Sequence, residues 1–216
     1  MTTLVKICGI TTLDAARTAV LGGADFLGFI HFARSPRHLA LPDMAALMRA
    51  VRAEGIATPL VSVVVDPDDT TLESLARLVQ PDLIQLHGQE TPQRVADIVA
   101  TTGIPAIKAI NVGGANDLEA AAAYAPHVRF LMFDAKTPKD AAMPGGLGHS
   151  FDWSLMRGYT GDTPWFLAGG LTPDNVTDAL RMSGASMVDV SSGVESAPGV
   201  KDSGLISRFL QAAKSV

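Results

Sequence analysis

The segment Leu4-Val5-Lys6-Ile7-Cys8-Gly9-Ile10-Thr11 joins a strand pattern to a helix pattern. Residues 4–8 form a mainly apolar run of strand length, and residues 12–21 repeat apolar side chains at helical spacing. The pair Gly22-Gly23 follows, where a helix needs a residue in the left-handed conformation to end. The segment therefore predicts one β-strand followed by one α-helix.

The same strand and helix alternation continues along the chain without a linker-like interruption. Further strands are predicted at residues 25–31, 60–65, 82–87, 106–110, 128–133, 165–168 and 186–190. Helices are predicted at residues 42–54, 70–79, 92–101, 116–124, 152–157, 173–182 and 203–213, with Thr172 as the N-cap of the seventh. Eight such units close a parallel barrel, so we predict an α/β fold with a single (β/α)8 TIM barrel domain over residues 1–216. An open doubly wound sheet is the alternative, but the glycine fingerprint expected after its first strand is missing from the sequence.

The composition restricts the classes of partner. The net charge of −5 is spread without long basic runs, which disfavours nucleic-acid binding. No apolar run approaches the roughly 20 residues of a membrane-spanning helix, and residues 1–20 do not resemble a signal peptide. The single cysteine agrees with a reducing compartment. We expect a cytoplasmic protein that binds neither nucleic acid nor membrane.

The carboxyl ends of the predicted strands carry the candidate site, because barrel enzymes place their chemistry there. These ends hold Cys8, His31, Asp66, His87, Asn111, Asp134, Gly169-Gly170 and Ser191-Ser192-Gly193. Side chains alternate along a strand, so Lys6 shares a face with Cys8, and Met132 shares one with Asp134. If both faces point inward, Cys8 and Asp134 meet over the barrel mouth.

Two glycine-rich ends offer backbone N–H groups and hydroxyls beside helix starts, an arrangement that binds phosphate. We predict that Gly169, Gly170, Ser191, Ser192 and Gly193 bind the phosphate of a small phosphorylated substrate. A pair of turn glycines alone would not support this interpretation. Two such loops, at the ends of the seventh and eighth strands, support phosphate binding because barrels commonly hold phosphate there.

Cys8 and Asp134 are the candidate base and acid. A lone cysteine is more often a small buried side chain, and Cys8 acts as a base only where its surroundings populate the thiolate. Asp134, at the head of a long connection over residues 134–150, is either a capping residue or an acid. The sequence pattern leaves both alternatives open for each residue.

Four further residues are candidate substrate contacts. Arg37 is either a solvated surface residue or an anion ligand, and Asp189 either a structural contact or an acceptor for a substrate nitrogen. Gln85 and His87 point the same way at a strand end, which makes His87 a candidate contact. His31, His87 and His149 lie on separate loops without paired spacing, so we predict no metal site.

The chain resembles the phosphoribosylanthranilate isomerases, the barrel enzymes of tryptophan biosynthesis. The resemblance covers nearly the whole chain and rests on Lys6-Ile7-Cys8-Gly9-Ile10-Thr11, Gly28-Phe29, Ser35-Pro36-Arg37, Gln85-Leu86-His87-Gly88, Phe133-Asp134, Gly145-Gly146, Ala168-Gly169-Gly170-Leu171 and Val188-Asp189-Val190-Ser191-Ser192-Gly193-Val194-Glu195. It departs from the family pattern at Leu147, where a small hydroxyl residue is common, and at His149, where lysine is common.

The resemblance implies a cofactor-free Amadori rearrangement, the third step of tryptophan synthesis from chorismate. It converts N-(5-phosphoribosyl)anthranilate to 1-(2-carboxyphenylamino)-1-deoxy-D-ribulose 5-phosphate. It implies Asp134 as the acid, Cys8 as the base, Arg37 at the anthranilate end, Asp189 near the bridging nitrogen, and Gly170, Ser191 and Ser192 at the phosphate. The oligomeric state, monomer or homodimer, is left open.

Three other functions compete. A histidine-pathway sugar isomerase is expected to use an aspartate at the first strand end, where this chain has Cys8. A metal-dependent pentose-phosphate epimerase needs clustered His and Asp ligands, and a chelator would abolish its activity. A non-catalytic phosphate-binding barrel would keep the glycine loops and have no use for the pair of Cys8 and Asp134.

Overall fold

The computed structural model describes residues 2–135 and 152–216. Eight parallel strands form a closed barrel in chain order: β1 (Leu4–Ile7), β2 (Phe26–His31), β3 (Leu60–Val64), β4 (Leu83–Leu86), β5 (Ala106–Val112), β6 (Phe130–Ala135), β7 (Trp165–Leu167) and β8 (Met187–Val190). Strand β1 pairs with both β2 and β8, which closes the ring. The predicted (β/α)8 barrel is confirmed, and the open sheet is wrong.

Helices lie between the strands. They are α1 (Leu13–Leu21), α2 (Leu41–Ala53), α3 (Asp69–Ser74), α4 (Pro92–Thr102), α5 (Ala115–Glu119), α6 (Ala121–Tyr124), α7 (Val176–Ser183) and α8 (Ser203–Lys214). Four of them begin at a side chain that accepts a hydrogen bond from a backbone N–H of the first turn, namely at Thr12, Asp68, Thr91 and Asp202. None of the helices in the described ranges is long and apolar enough to cross a membrane.

Several predicted helices differ from the observed ones. The helix expected at residues 116–124 is divided into α5 and α6, and α3 continues as a π-helical turn over Leu75–Val79. The segment Trp153–Gly158 is a 3-10 helix. Thr172 is not an N-cap: residues 172–175 form a turn in which the Asn175 N–H donates to the Thr172 carbonyl, and α7 starts after it.

The strand ends also differ in detail from their predicted limits. Strand β6 includes Asp134 and Ala135, so the first two residues of the predicted long connection belong to the sheet. The remainder of that connection, residues 136–150 with Leu147 and His149, lies outside the described residues. A short antiparallel hairpin, β9 (Glu195–Ala197) with β10 (Val200–Lys201), follows β8 and was not predicted.

The half of the barrel interior nearer the amino ends of the strands is apolar. Alternate strand residues point inward and form one cluster of buried side chains that includes Phe26, Val61, Leu83, Ile107, Met132, Phe166 and Met187. Phe26, Phe130 and Phe166 pack edge to face, with ring centroids 5.3 to 5.8 Å apart. A second, larger cluster fills the space between the strands and the helices.

The inward positions toward the carboxyl ends of the strands are polar instead. Lys6 lies beside Asp189 across the β1 and β8 pair, and Asn111 lies beside Asp134 across β5 and β6. Because side chains alternate, Cys8 follows Lys6 on the same inward face, and His87 follows Gln85. The fold therefore places these residues inside the barrel, near the carboxyl ends of its strands.

The aromatic cluster provides a test of what stabilises the barrel. Phe166 is fully buried, so we expect Phe166→Ala to lower the free energy of unfolding by about 3–5 kcal/mol, as measured by urea denaturation. Leu21→Ala is the matched control, because 88% of Leu21 is exposed; it should change stability by less than about 0.5 kcal/mol. Equal losses in the two variants would contradict this account of the core.

Candidate active site

A buried ion pair between Lys6 and Asp189 lies beneath Cys8. The Lys6 ammonium, with no exposed side-chain surface, donates to Asp189 Oδ1 at 2.7 Å. Burial disfavours the ammonium, but attraction to Asp189 and to Cys8 outweighs it and raises the pKa of Lys6, which stays charged. One oxygen of Asp189 is therefore held by Lys6, which makes Asp189 part of the structure as well as a candidate substrate contact.

Cys8 is buried at the carboxyl end of β1, and its backbone N–H donates to the Val190 carbonyl at 2.8 Å. Burial raises the pKa of the Cys8 thiol above its ordinary value, the Lys6 ammonium opposes this shift, and the Asp189 carboxylate adds to it. This upward shift in pKa is the opposite of what a readily formed thiolate requires. The thiolate is instead a rare and strongly basic form.

Gly28 on β2 makes room for this arrangement. A Cβ atom at residue 28 would lie 2.8 Å from Cys8 Sγ, closer than such contacts allow, and 3.0 Å from Lys6 Nζ, which is at the limit. A residue with a side chain would therefore displace the thiol or the ammonium. This explains in physical terms why glycine stands at the start of the Gly28-Phe29 motif.

Asp134 lies three strands from Cys8 around the ring, and it too is buried. Its Oδ1 accepts from the Ala135 N–H at 2.8 Å, and its Oδ2 lies 3.2 Å from His87 Nε2. His87 Nδ1 in turn lies 2.9 Å from the side-chain nitrogen of Gln85. Asp134, the predicted acid, is thus hydrogen-bonded to His87 and through it to Gln85. Both were predicted only as substrate contacts.

The two predicted phosphate loops pack against one another. Gly169 and Gly170 have left-handed backbones, with φ of +89° and +66°. A Cβ at residue 193 would lie 1.9 Å from the Leu171 carbonyl oxygen, so only glycine allows this approach. Ser191 and Ser192 adjoin that contact, and the Ser191 hydroxyl donates to the Cys8 carbonyl at 3.2 Å. The loop after β8 therefore lies against the backbone of Cys8.

Arg37 is buried in a cluster of charges rather than solvated. Its Nε and Nη2 donate to the two carboxylate oxygens of Glu195 at 2.7 and 2.8 Å. Lys201 donates to the same carboxylate at 2.7 Å. Burial works against ionisation of Glu195, but bonds from Arg37 and Lys201 outweigh it and hold the pKa of Glu195 below its usual value. Of the five N–H donors of Arg37, Glu195 takes the one on Nε and one on Nη2, which leaves both donors on Nη1 and one on Nη2.

Glu195 and Lys201 were not predicted as site residues. Glu195 ends the last quoted motif, and Lys201 follows it across a turn that contains Pro198-Gly199, the usual signal for a hairpin. That signal could have placed the two opposite charges on paired strands. Their contact with Arg37, 158 residues away in sequence from Glu195, could not have been found without the fold.

A second buried pair supports the loop that carries His87. Lys108 donates to Glu90 at 2.6 Å and to the Gly88 carbonyl at 2.8 Å, and Glu90 accepts from the backbone N–H groups of Asp66 and Gly88. This pair was also missed by the sequence analysis, since Glu90 and Lys108 lie on different units. It fixes the segment immediately after His87.

His31 and His38 contact each other and do not join the residues around Cys8 and Asp134. His31 Nδ1 lies 2.9 Å from the Leu39 carbonyl oxygen, and its ring contacts His38. Among residues 2–135 and 152–216, no three His, Cys, Asp or Glu side chains are grouped so that they could hold a metal ion. His149 belongs to the part of the chain that is not described.

The closed barrel and its buried ionisable groups define the class of the protein: a TIM-barrel enzyme with a polar site at the carboxyl ends of its strands. The sequence matches the N-(5′-phosphoribosyl)anthranilate (PRA) isomerase family over residues 5–212. The chain belongs to this family.

Individual relatives agree with this assignment. The N-(5′-phosphoribosyl)anthranilate isomerase of Paramagnetospirillum magneticum is 51% identical over 210 residues, which cover 97% of this chain and 96% of the relative. That of Caulobacter sp. strain K31 is 49% identical over 211 residues, 98% of each chain.

Solved structures agree as well. Phosphoribosyl anthranilate isomerase from Thermotoga maritima superposes with a TM-score of 0.83 and 34% identity, covering 99% of this chain and all (100%) of that one. A phosphoribosyl anthranilate isomerase in complex with reduced 1-(o-carboxyphenylamino)-1-deoxyribulose 5-phosphate has a TM-score of 0.81 and 32% identity, with 99% and 100% coverage.

The ion pair beneath Cys8 can be tested through the thiol itself, because the chain has one cysteine. Lys6 stabilises the thiolate and Asp189 destabilises it, so Lys6→Met should move the pH midpoint of iodoacetamide alkylation upward and Asp189→Asn should move it downward. Lys214→Met is the matched control, because Lys214 pairs with Asp25 near the opposite end of β1. A midpoint that responds equally to Lys6→Met and Lys214→Met would contradict the assignment.

Proposed function

We propose that this chain catalyses the Amadori rearrangement of N-(5-phosphoribosyl)anthranilate to 1-(2-carboxyphenylamino)-1-deoxy-D-ribulose 5-phosphate in tryptophan biosynthesis. It is an aldose–ketose isomerase that acts by general acid and base catalysis. The observation that carries the proposal is the position of Cys8 and Asp134, both buried, at the carboxyl ends of β1 and β6 in one barrel interior.

The acid step belongs to Asp134. Its carboxyl group gives a proton to the furanose ring oxygen, and the lone pair of the anthranilate nitrogen drives ring opening to a protonated Schiff base. The bond from the Ala135 N–H holds one oxygen in place, which leaves the other as the proton carrier. No electron acceptor is needed, because the substrate nitrogen supplies the electrons.

The base step belongs to Cys8. Its thiolate removes the proton from C2′ of the Schiff base, which gives an enolamine, and the enolamine becomes the ketone. Because burial raises the pKa of this thiol, the thiolate is scarce near neutral pH, but a more basic thiolate removes a carbon-bound proton more readily. Lys6 is the cation that favours the thiolate.

The rest of the site binds the two anionic ends of the substrate. Gly169, Gly170, Ser191, Ser192 and Gly193 hold the phosphate with backbone N–H groups and hydroxyls. Arg37 meets the anthranilate carboxylate with its Nη1 donors, while Glu195 fixes the other edge of the guanidinium. Gln85, His87 and Asp189 complete the wall around the reacting sugar, and no cofactor is required.

The expected partner is a small phosphorylated molecule, in keeping with the phosphorylated product analogue bound by the solved relative. A relative from Thermotoga maritima is described as a dimeric enzyme, and we propose a monomer or homodimer here. We also propose a cytoplasmic location, because the pathway substrates arise there and the lone thiol suits a reducing compartment.

Replacement of the acid and the base tests the mechanism. Cys8→Ser and Asp134→Asn should each lower kcat by about 10²–10⁴-fold, since each removes one proton-transfer group. The assay is the decay of fluorescence of freshly formed phosphoribosylanthranilate. Asp178→Asn, an exposed change on α7, is the control and should leave turnover unchanged.

The binding behaviour of these variants separates two functions. Both should still bind a reduced product analogue, because the phosphate loops are intact. Unchanged turnover in both variants would rule out the proposed pair, and a wild-type protein that binds the analogue without turnover would be a non-catalytic phosphate-binding barrel.

Gly169 connects the phosphate loop to the acid and offers a second test. A Cβ at residue 169 would lie 2.6 Å from the Ala135 nitrogen and 2.9 Å from Asp134 Oδ1, so Gly169→Ala should lower kcat by roughly 10- to 100-fold through displacement of the acid. Gly103→Ala is matched, because Gly103 also has positive φ but open space around it. Both variants should lose about 1 kcal/mol of stability to backbone strain, and only Gly169→Ala should lose turnover.

A further inference from the structure

His87 links Asp134 to the barrel interior through two hydrogen bonds. Its Nε2 lies 3.2 Å from Asp134 Oδ2, and its Nδ1 lies 2.9 Å from Gln85 Nε2. Gln85 is almost fully buried, and only 12% of the His87 side chain is exposed. Both nitrogens of the imidazole are therefore directed at protein groups, which is not what a residue dedicated to binding substrate requires.

The contact between His87 and Asp134 must hold a proton. Without one, a nitrogen lone pair would face a carboxylate oxygen, so a hydrogen lies on either Nε2 or Oδ2. An isolated imidazole binds its proton near pH ~6.5 and an isolated aspartate near pH ~3.9. A second proton on the ring would be shared with the Asp134 carboxylate through this hydrogen bond.

Gln85 provides an acceptor for the charged imidazole. An imidazolium donates from both nitrogens, so Nδ1 then needs an oxygen in front of it. Gln85 Oε1 is buried and has no hydrogen-bond partner among the described residues. A half-turn of the terminal amide exchanges Oε1 with Nε2 and brings this oxygen to Nδ1. The same amide thus serves the neutral ring with its nitrogen and the charged ring with its oxygen.

Among the described residues, the other charged groups on the elements next to His87 already have hydrogen-bond partners. On the neighbouring elements these are Lys108 on β5 and Glu90 and Asp66 on the adjoining loops. Lys108 and Glu90 bond each other at 2.6 Å, and Asp66 Oδ1 accepts from the Gln89 N–H at 2.6 Å. Asp134 is the carboxylate in direct contact with the ring.

We propose that His87 is a positioning residue that stores the proton for Asp134, so that the two residues act together as the acid of the isomerisation. This inference rests on the proposed function. His87 acts through Asp134 and not on the substrate, and Gln85 holds its second nitrogen in both protonation states.

The proton transfers balance over one turnover. The imidazolium gives the proton on Nε2 to the Asp134 carboxylate, and the resulting carboxyl group gives a proton to the ring oxygen of the substrate. Cys8 takes the proton from C2′ and releases it to water. His87 regains one proton from water, which restores the starting state, and the substrate has gained and lost one proton.

The conservative variant His87→Gln tests the proposal. Glutamine retains an N–H at the position of Nε2 but cannot give it up, so we expect kcat to fall by about 100-fold while KM stays within about twofold. His127→Gln is the matched control, because His127 lies in the 3-10 segment before β6, at the other end of the barrel strands. It should have the activity of the wild-type protein. A kcat for His87→Gln within twofold of wild type overturns the proposal, and so does a raised KM with unchanged kcat, which is the mark of a substrate contact.

A spectroscopic measurement on the wild-type protein keeps the test independent of activity and of the folding of a variant. The 15N resonances of the His87 ring should show protonation within the pH range in which the enzyme turns over. Asp134→Asn should lower the pH at which this proton is taken up, because the stabilising carboxylate is gone. A ring that stays neutral over the active range, or one that titrates identically in Asp134→Asn, overturns the proposal. Absence of any turnover by the wild-type protein would instead refute the proposed function.

Discussion

The pairing of β1 with β8 is the constraint on which the site depends. It closes the barrel and sets Lys6 directly beside Asp189, two residues that are 183 positions apart in sequence. Burying two charges is costly, and removal of one partner from such a pair typically destabilises a protein by about 3–5 kcal/mol. The pair also places an ammonium and a carboxylate near Cys8. The ammonium lowers the pKa of the thiol and the carboxylate raises it, so the closure of the barrel affects the basicity of Cys8.

The two halves of the barrel interior differ: one is apolar core and the other holds the polar site. The amino-terminal half of the interior is packed with aromatic and aliphatic side chains, as in Phe26, Phe130 and Phe166. The carboxyl-terminal half holds a series of buried charges with fixed partners, including the Glu195 and Lys108 clusters. Low polarity around these groups strengthens each interaction and makes the protonation of one depend on its neighbours.

Close backbone approach is the second requirement of the site. Gly28 leaves space for the thiol and the ammonium, and Gly169 leaves space for Asp134. Gly193 allows the loop after β8 to approach the Leu171 carbonyl in the loop after β7. In the sequence motifs these glycines are recognisable only as small residues on or near the strands. Why glycine is required at each position is clear only from the atoms that lie opposite it in the structure.

The sequence by itself determined the eight strand and helix units, the alternation that turns Lys6, Cys8, Gln85, His87 and Asp134 inward, and the family, because these depend on local periodicity and on residue identity at strand ends. It did not determine helix interruptions such as that between α5 and α6, or the β9 and β10 hairpin. Only the tertiary structure decided which charges meet: Glu195 with Arg37, His87 with Asp134, and Lys6 with Asp189 beneath Cys8. These contacts, and the upward shift in the pKa of the thiol, arise from burial and from distances between strands that are remote in sequence, which no local pattern contains.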